Sequence, residues 1–552
     1  MVFSLSVLLY FYNQFWYPPD DGAYAHVADR ILSGEVLNLD IHDVHMGYIN
    51  FLHAIALKLF GYDMASLRIP LVIFGVLQTG LIFALLKSQG RVVAFIGAVT
   101  IASLSFIQFL NPTANWYGLF LTILVIFSLE KIPESYKFRM WLVGYILVTL
   151  FLFRQLSGVI TSLGVLSYIF YKNRQVIGFW DGICSKIIFA IMIVGLSTYL
   201  YLKTPLSAIV LFGLWPLLIL VNGLIFVSVD NKKTLKIIGQ LLAGGLIALA
   251  PLLTYHIYHG SVLSWYHDTV ISALLLTDLS FIQNNNFFSY LIFSVGSIVK
   301  LSALDVVLNG IYWVALILMS FVLGLIVFAK IRGNYSQKPL ISSLPIVAVF
   351  YGLVSVHYQI PIYLYYTVGL SICGVLCVVK LDNAIRRNVL ISFFSLVSFV
   401  ALYFHAAQPL ERTLLETLEG KRIDGTNVLM GEPVNLWIPE HEAEVYEHIQ
   451  ELVQLNVRKE ETIFAFPSNS EIYFIAGRKN PFRFFNSSFG IRNEQQFDDV
   501  LSTLKSSPPR MVFYNPDDKY NTENAIKISQ YIRHNYVLLE TVNGMEYYLL
   551  RD

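Results

Sequence analysis

Asp20 and Asp21 are adjacent carboxylates in the stretch Pro18-Pro19-Asp20-Asp21-Gly22-Ala23-Tyr24, directly after an apolar run that closes on Phe15-Trp16-Tyr17. A carboxylate placed where a membrane helix leaves the bilayer can take a proton from an acceptor hydroxyl or amine. A second carboxylate beside it can raise one pKa of the pair or help hold a divalent cation. Tyr24, Ala28 and Ile31 recur at helical spacing, so a short amphipathic helix is predicted to start at the pair, and its N-terminal turn would favour the ionised form. The competing reading is that Asp20 or Asp21 simply caps that helix.

A second polar group lies in Asp40-Ile41-His42-Asp43-Val44-His45-Met46-Gly47. His42, Asp43 and His45 are metal-ligand types, but a short His-x-x-His in a loop is a weak metal signal. A polar loop whose imidazoles bond neighbouring backbone explains it equally well. A third group comprises Arg68, Arg154, Lys203 and His357, near the predicted outer ends of helices. Such boundary charges often only snorkel to the interface. Arg154 stands apart, because almost no loop separates the helices on either side of it. A guanidinium fixed at that turn can hold a lipid phosphate in a bidentate way.

The elements that must position these residues are membrane helices. Of 552 residues, 56% are hydrophobic and only 14% charged, against roughly 25% charged in an average soluble domain. Apolar runs predict thirteen spans, near 2–17, 67–86, 92–110, 116–130, 140–154, 156–171, 187–202, 205–228, 237–255, 310–329, 340–356, 361–379 and 388–404. Basic residues cluster in every second loop: Lys87 and Arg91; Lys131, Lys137 and Arg139; Lys172, Arg174 and Lys186; Lys232, Lys233 and Lys236; Lys330, Arg332 and Lys338; Lys380, Arg386 and Arg387. The positive-inside rule then puts the N-terminus in the cytoplasm, and the acidic pair and everything after about residue 405 outside. The N-terminal run has no preceding Lys or Arg and no small-residue cleavage site, so it reads as a first membrane helix rather than a signal peptide.

The predicted fold is a polytopic α-helical membrane protein with a C-terminal soluble α/β domain, divided as 1–405 and 406–552. Outer segment 18–66 carries the acidic pair and the run Tyr48–Phe60, too short to span and expected at the interface. Outer segment 256–309 is aromatic-rich and expected to lie on the outer membrane face. In the tail, helices are predicted at 441–454, 495–504 and 522–533, and strands at 462–466, 511–514, 536–541 and 545–550, the last two joined by Asn543-Gly544. The net charge of +1 suggests no nucleic-acid partner. Of the three cysteines, Cys184 falls in a polar loop, while Cys373 and Cys377 share one helix as small buried thiols.

The acidic loop resembles that of the GT-C type membrane glycosyltransferases, with the protein O-mannosyltransferases and aminoarabinose lipid A transferases as the near relatives. The likeness is carried by Asp20-Asp21-Gly22-Ala23-Tyr24, by Ala28 through Gly34, and by Leu59-Phe60-Gly61 followed by Leu67-Arg68-Ile69-Pro70. Asp40-Ile41-His42 is loosely similar to the mannosyltransferases' Asp-Val-His, although Asp43-Val44 follows here in place of a Pro-Pro pair. The resemblance implies inverting transfer of a hexosyl or pentosyl group from a polyprenyl-phosphate sugar to a lipid, glycan or protein acceptor at the outer face of the membrane. It implies Asp20 as the base; Asp21 then orients the acceptor or holds a cation, and Tyr24, His42 and His45 are candidates for an acceptor or loop site. Arg154, Arg68 and His357 are then candidates for the donor phosphate. No cofactor is required, and a divalent cation is compatible with the acidic pair. Two other classes stay open: a transporter or flippase of a lipid-linked glycan, with a midplane site, and a non-catalytic scaffold of a glycan assembly complex.

Overall fold

The computed structural model describes residues 1–275, 286–300, 303–332, 342–356, 358–379, 383–408, 416 and 426–551. Each of the thirteen predicted stretches contains a helix. Among the described residues, eight helical segments are long and apolar enough to cross a membrane: Ala65–Gln89, Arg91–Gln108, Trp180–Lys203, Leu206–Phe226, Asn231–Tyr258, Leu304–Arg332, Pro361–Val378 and Ala384–His405. The other five stretches form the shorter or more polar helices Val2–Phe11 (α1), Ala114–Lys131, Arg139–Phe153, Gln155–Lys172 and Ser343–Tyr351. The chain is a polytopic helical membrane protein carrying a small C-terminal sheet.

Two helices, Arg139–Phe153 and Asn231–Tyr258, pack unusually closely. A Cβ on Gly144 would stand 2.0 Å from the Leu241 carbonyl oxygen, and one on Gly244 would stand 1.9 Å from that of Trp141. Small residues let helix backbones touch where lipid gives no hydrophobic drive to association. The loops then segregate. At one end Glu134 lies 2.7 Å from Lys172 and 4.0 Å from Arg139, and Lys330 bonds the Val378 carbonyl. These are basic loops. At the other end gather the segments with few basic residues.

At that second end α1 stops at Phe11, six residues short of the predicted boundary. Pro18 restricts Tyr17 to extended backbone (φ −125°, ψ 96°), which forbids a continuous helix there. Residues 13–16 are instead taken up by the tail. Phe15 N–H donates to the Trp437 carbonyl (2.8 Å), Trp437 N–H donates to the Asn13 carbonyl (2.8 Å), and the Trp16 indole donates to Glu442 (2.7 Å). Helix α2 follows at Pro18–Leu32 and α3 at Tyr48–Phe60, the latter matching the predicted interfacial run. The described part of outer segment 256–309 packs onto the first one, with the Trp265 indole donating to the Met46 carbonyl (2.9 Å).

In the tail, β3 (Ile463–Phe466), β4 (Met511–Tyr514), β5 (Tyr536–Val542) and β6 (Met545–Leu550) form a sheet in the order β3-β4-β6-β5. The β3–β4 pair is parallel and the others antiparallel. Asn543 (φ 49°) and Gly544 (φ 82°) make the β5–β6 turn in the left-handed region, as that hairpin signal requires. Helices Glu440–Asn456, Glu494–Ser506 and Glu523–Asn535 match the predicted ones. A two-stranded hairpin, β1 (Asn427–Met430) with β2 (Leu436–Pro439), and the helix Glu471–Ala476 were not legible in the periodicity.

Candidate active site

The acidic pair is divided by its own helix. Pro18 and Pro19 occupy the first positions of α2, where a missing N–H costs nothing and the fixed φ suits the helix. Tyr17 is therefore the N-cap, and neither aspartate caps by the expected geometry; both lie inside the first turn. Successive positions in a helix point about 100° apart, so the two carboxylates diverge.

Asp21 turns into the protein. Its side chain is 0% exposed, accepts the Tyr17 N–H at 2.9 Å, and pairs with Arg68 at 3.0 Å. Arg68, also 0% exposed, donates in addition to the carbonyls of Tyr12 (3.0 Å), Gln14 (3.4 Å) and Phe15 (2.9 Å). The pair thus clamps the link between α1 and α2. Arg68 is enclosed by protein acceptors rather than presented at an opening for a lipid phosphate.

Asp20 turns the other way. It is half-buried, and its carboxylate makes no hydrogen bond to the described residues. Burial and the neighbouring Asp21 push its pKa up to about 7, against the opposing pull of Lys519 and His45. One turn further on, Tyr24 lies beside Thr113 and within the electrostatic reach of Asp20, Asp43 and Arg154. Its ring stands 5.8 Å from that of His45 and 5.1 Å from that of His53. Asp43 accepts both the His45 backbone N–H and a bond with its Nδ1, each at 2.7 Å. That partnership outweighs burial and holds the Asp43 carboxyl below its usual pKa.

Arg154 is the single extended residue (φ −151°, ψ 110°) between two helices, confirming the absence of a loop there. Gln155 next to it donates to the carbonyls of Val44 (2.9 Å) and Thr269 (3.1 Å), tying this turn to both outer segments. Arg154 also acts electrostatically on Tyr358, Tyr363 and Tyr366, the same tyrosines that sense Asp20. Asp20, Tyr24, His45 and Arg154 therefore share one region. Lys203 donates to the Leu274 carbonyl at 3.0 Å, and His357 lies outside the described residues.

His42 is in a different place. Its Nε2 lies 3.6 Å from Asp268 and its ring 5.5 Å from that of Phe484; burial lowers its pKa against the pull of Asp268. Asp268, 0% exposed, accepts from Asn38 (3.1 Å) and Arg483 (2.6 Å), and Arg483 also donates to the carbonyls of Asn38 and Leu39. His42 thus belongs to a junction that joins both outer segments to the tail. His42 and His45 diverge, and among the described residues no three metal-ligating side chains come together.

The tail supplies what sequence reasoning missed. Gly22 sits so close to the helix Glu471–Ala476 that a Cβ on it would lie 2.4 Å from the Glu471 backbone. Beside this contact, Lys519 donates to the Tyr17 hydroxyl at 2.9 Å. Nothing around Lys519 in Pro516-Asp517-Asp518-Lys519-Tyr520 marks it as more than a solvated loop residue. Glu471 is 0% exposed, and burial pushes its pKa up to about 7 although Tyr446 and Asn469 donate to it, both at 3.1 Å.

No protein-family profile and no curated protein matches the chain. Among solved structures, the chain aligns with ArnT from Cupriavidus metallidurans bound to undecaprenyl phosphate, at 11% identity and TM-score 0.42, covering 99% of this chain and 97% of that one. It also aligns with the Archaeoglobus fulgidus oligosaccharyltransferase in complex with zinc and sulfate, at 12% identity and TM-score 0.43, covering 100% and 72%.

Proposed function

We propose that this membrane protein is a glycosyltransferase that moves a sugar from a polyprenyl-phosphate carrier to a hydroxyl or amine acceptor, with Asp20 as the base. The observation that carries this reading is the division of the acidic pair. One carboxylate is sealed against an arginine, while the other makes no hydrogen bond to the described residues and has a pKa near neutrality, as a general base should. The acidic-loop resemblance points to the same residue.

In this scheme the acceptor oxygen or nitrogen attacks the anomeric carbon as its proton passes to Asp20. The bond from that carbon to the phosphate oxygen breaks, and polyprenyl phosphate leaves with the electron pair, inverting the centre. Arg154 binds the leaving phosphate, where a fixed guanidinium is worth most against developing charge. Tyr24 and His45 line the acceptor side, and Asp43 orients the His45 ring. Asp21 and Arg68 hold the first turn of α2 in place. The N-terminus is cytoplasmic and the tail, from about residue 406, is an extracytoplasmic domain over the site.

The test is direct. Purified protein is incubated with polyprenyl-phosphate hexoses and pentoses and a lipid or glycan acceptor, and free polyprenyl phosphate is measured. Acceptor-dependent release from one donor, abolished in Asp20→Asn, supports the reading. Release that Asp20→Asn leaves intact defeats it.

A further inference from the structure

Lys519 of the tail reaches the first turn of α2. Lys519 Nζ donates to Tyr17 Oη at 2.9 Å and stands 5.4 Å from the centre of the Tyr17 ring and 5.6 Å from that of Tyr520. Tyr17 is the N-cap of α2, three residues before Asp20. Two aromatic faces and a phenol hold a long side chain that would otherwise sample many rotamers. The loop that bears it is itself latched. Asn521 donates to the carbonyls of Asn515 (3.0 Å) and Pro516 (2.8 Å), Asp518 accepts the Tyr520 N–H (2.8 Å), and Ser468 donates to Asp518.

We propose that Lys519, delivered by the C-terminal sheet unit, is a positioning residue of the transfer site, fixed over Tyr17 so that its ammonium maintains the charge on Asp20. The inference rests on Asp20 being the base. The groups facing Asp20 come from every side. Its own helix brings Asp21 and Tyr24, the first outer segment brings His45, the helical bundle brings Tyr358, Tyr363 and Tyr366, and the tail brings Lys519 and Tyr520. Of these, Lys519 and His45 favour the carboxylate, and burial and Asp21 oppose it. His45 is already paired with Asp43 at 2.7 Å. Lys519 is the larger of the two favourable influences, and it arrives only when the tail is docked. A role in folding alone is a weak rival, because an exposed lysine contact contributes little stability.

The experiment compares the wild type, Lys519→Met and Lys519→Arg in detergent or lipid nanodiscs. Two readouts are taken from pH 5 to 9: transfer kcat/KM, and the infrared band of the Asp20 carboxylic acid, assigned by its loss in Asp20→Asn. Lys519→Met should keep the wild-type melting temperature and move both the acid limb of the rate profile and the infrared titration up by about half to one pH unit. Its rate should be roughly three- to ten-fold lower near pH 6.5 and converge on wild type at high pH, with Lys519→Arg restoring both. An infrared shift in a protein that transfers no sugar supports Lys519 and defeats the transferase reading. Superimposed titrations in an active enzyme defeat the role of Lys519 and leave the transferase reading standing.

Discussion

Asp21 and Arg68 form a buried ion pair at 3.0 Å that neither member shares with solvent, and the same guanidinium gathers the carbonyls of Tyr12, Gln14 and Phe15. Removing one partner leaves the other charged and buried, a change that costs about 3–5 kcal/mol. Asp21→Asn and Arg68→Met should both lower the melting temperature and the yield of folded protein. The double variant Asp21→Asn/Arg68→Met should recover part of the loss. A well-folded, inactive Asp21→Asn would instead assign Asp21 to the chemistry.

Asp20→Asn should behave in the opposite way. Asparagine matches aspartate in size, and no hydrogen bond to the described residues is lost, so the melting temperature should hold. Transfer should fall by roughly 10²–10⁴, the usual worth of a positioned base. The base must be ionised and its pKa is raised to about 7, so wild-type kcat/KM should rise with pH through that value and then level off. A rate that is flat from pH 5 to 8 would exclude Asp20 as the titrating base.

Arg154→Ala should raise the dissociation constant for polyprenyl phosphate, measured by tryptophan quenching or filter binding, by at least ten-fold with little change in melting temperature. Arg154→Lys should recover only part of the affinity, since a single ammonium lacks the bidentate fork. Unchanged binding in folded Arg154→Ala would return the residue to a boundary charge.

Glu471 should make stability pH-dependent. Its folded pKa, about 7, is raised above its ordinary value of 4.5, so the folded chain holds the proton more tightly. That contribution is fully present below about pH 4.5 and is lost as pH rises through 7. Glu471→Gln keeps a neutral, hydrogen-bonding side chain at every pH. Relative to the wild type at its own pH 5 value, it should be more stable at pH 8 by about 2–3 kcal/mol, on the order of the pKa difference. Melting curves at both pH values that move in parallel for the two proteins would contradict this.

Topology is checked with a cysteine at Ser506, exposed on the tail helix Glu494–Ser506, in a cysteine-free background. A membrane-impermeant maleimide should label it in spheroplasts without lysis. Labelling that requires lysis would invert the orientation.

Much of this fold was legible because its signals are local. Membrane helices announce themselves as apolar runs, the tail strands as β-branched and aromatic runs, and Asn543-Gly544 as a turn with positive φ. The acidic pair was legible by position, but its division was not. Pro18 and Pro19 start the helix three residues earlier than an Asp20 cap would, and that rotates Asp20 and Asp21 onto different faces. Residues joined across 47 and 502 positions left no trace in the sequence. Arg68 reads as a boundary cation until Asp21 is seen beside it, and Lys519 reads as a loop lysine until Tyr17 is. The β1–β2 hairpin is short and interrupted by Pro433, and β2 pairs with residues 13–15, which periodicity does not reveal.

The bond between the Trp16 indole and Glu442 closes a separation of 426 residues. At a synthesis rate of roughly 5–20 residues per second, that interval is on the order of 20–85 s. Throughout it, the segment after the first span has been made but its partner has not. Helix α1 and the aspartates leave the ribosome before the backbone that pins them. A nascent chain arrested between residue 406 and Trp437 would carry the predicted spans and still lack the strand that seats Asn13 and Phe15. Docking of the α1–α2 link therefore waits until Trp437 and Glu442 have been made, and a separately expressed tail supplied in trans is the natural means of starting it on demand.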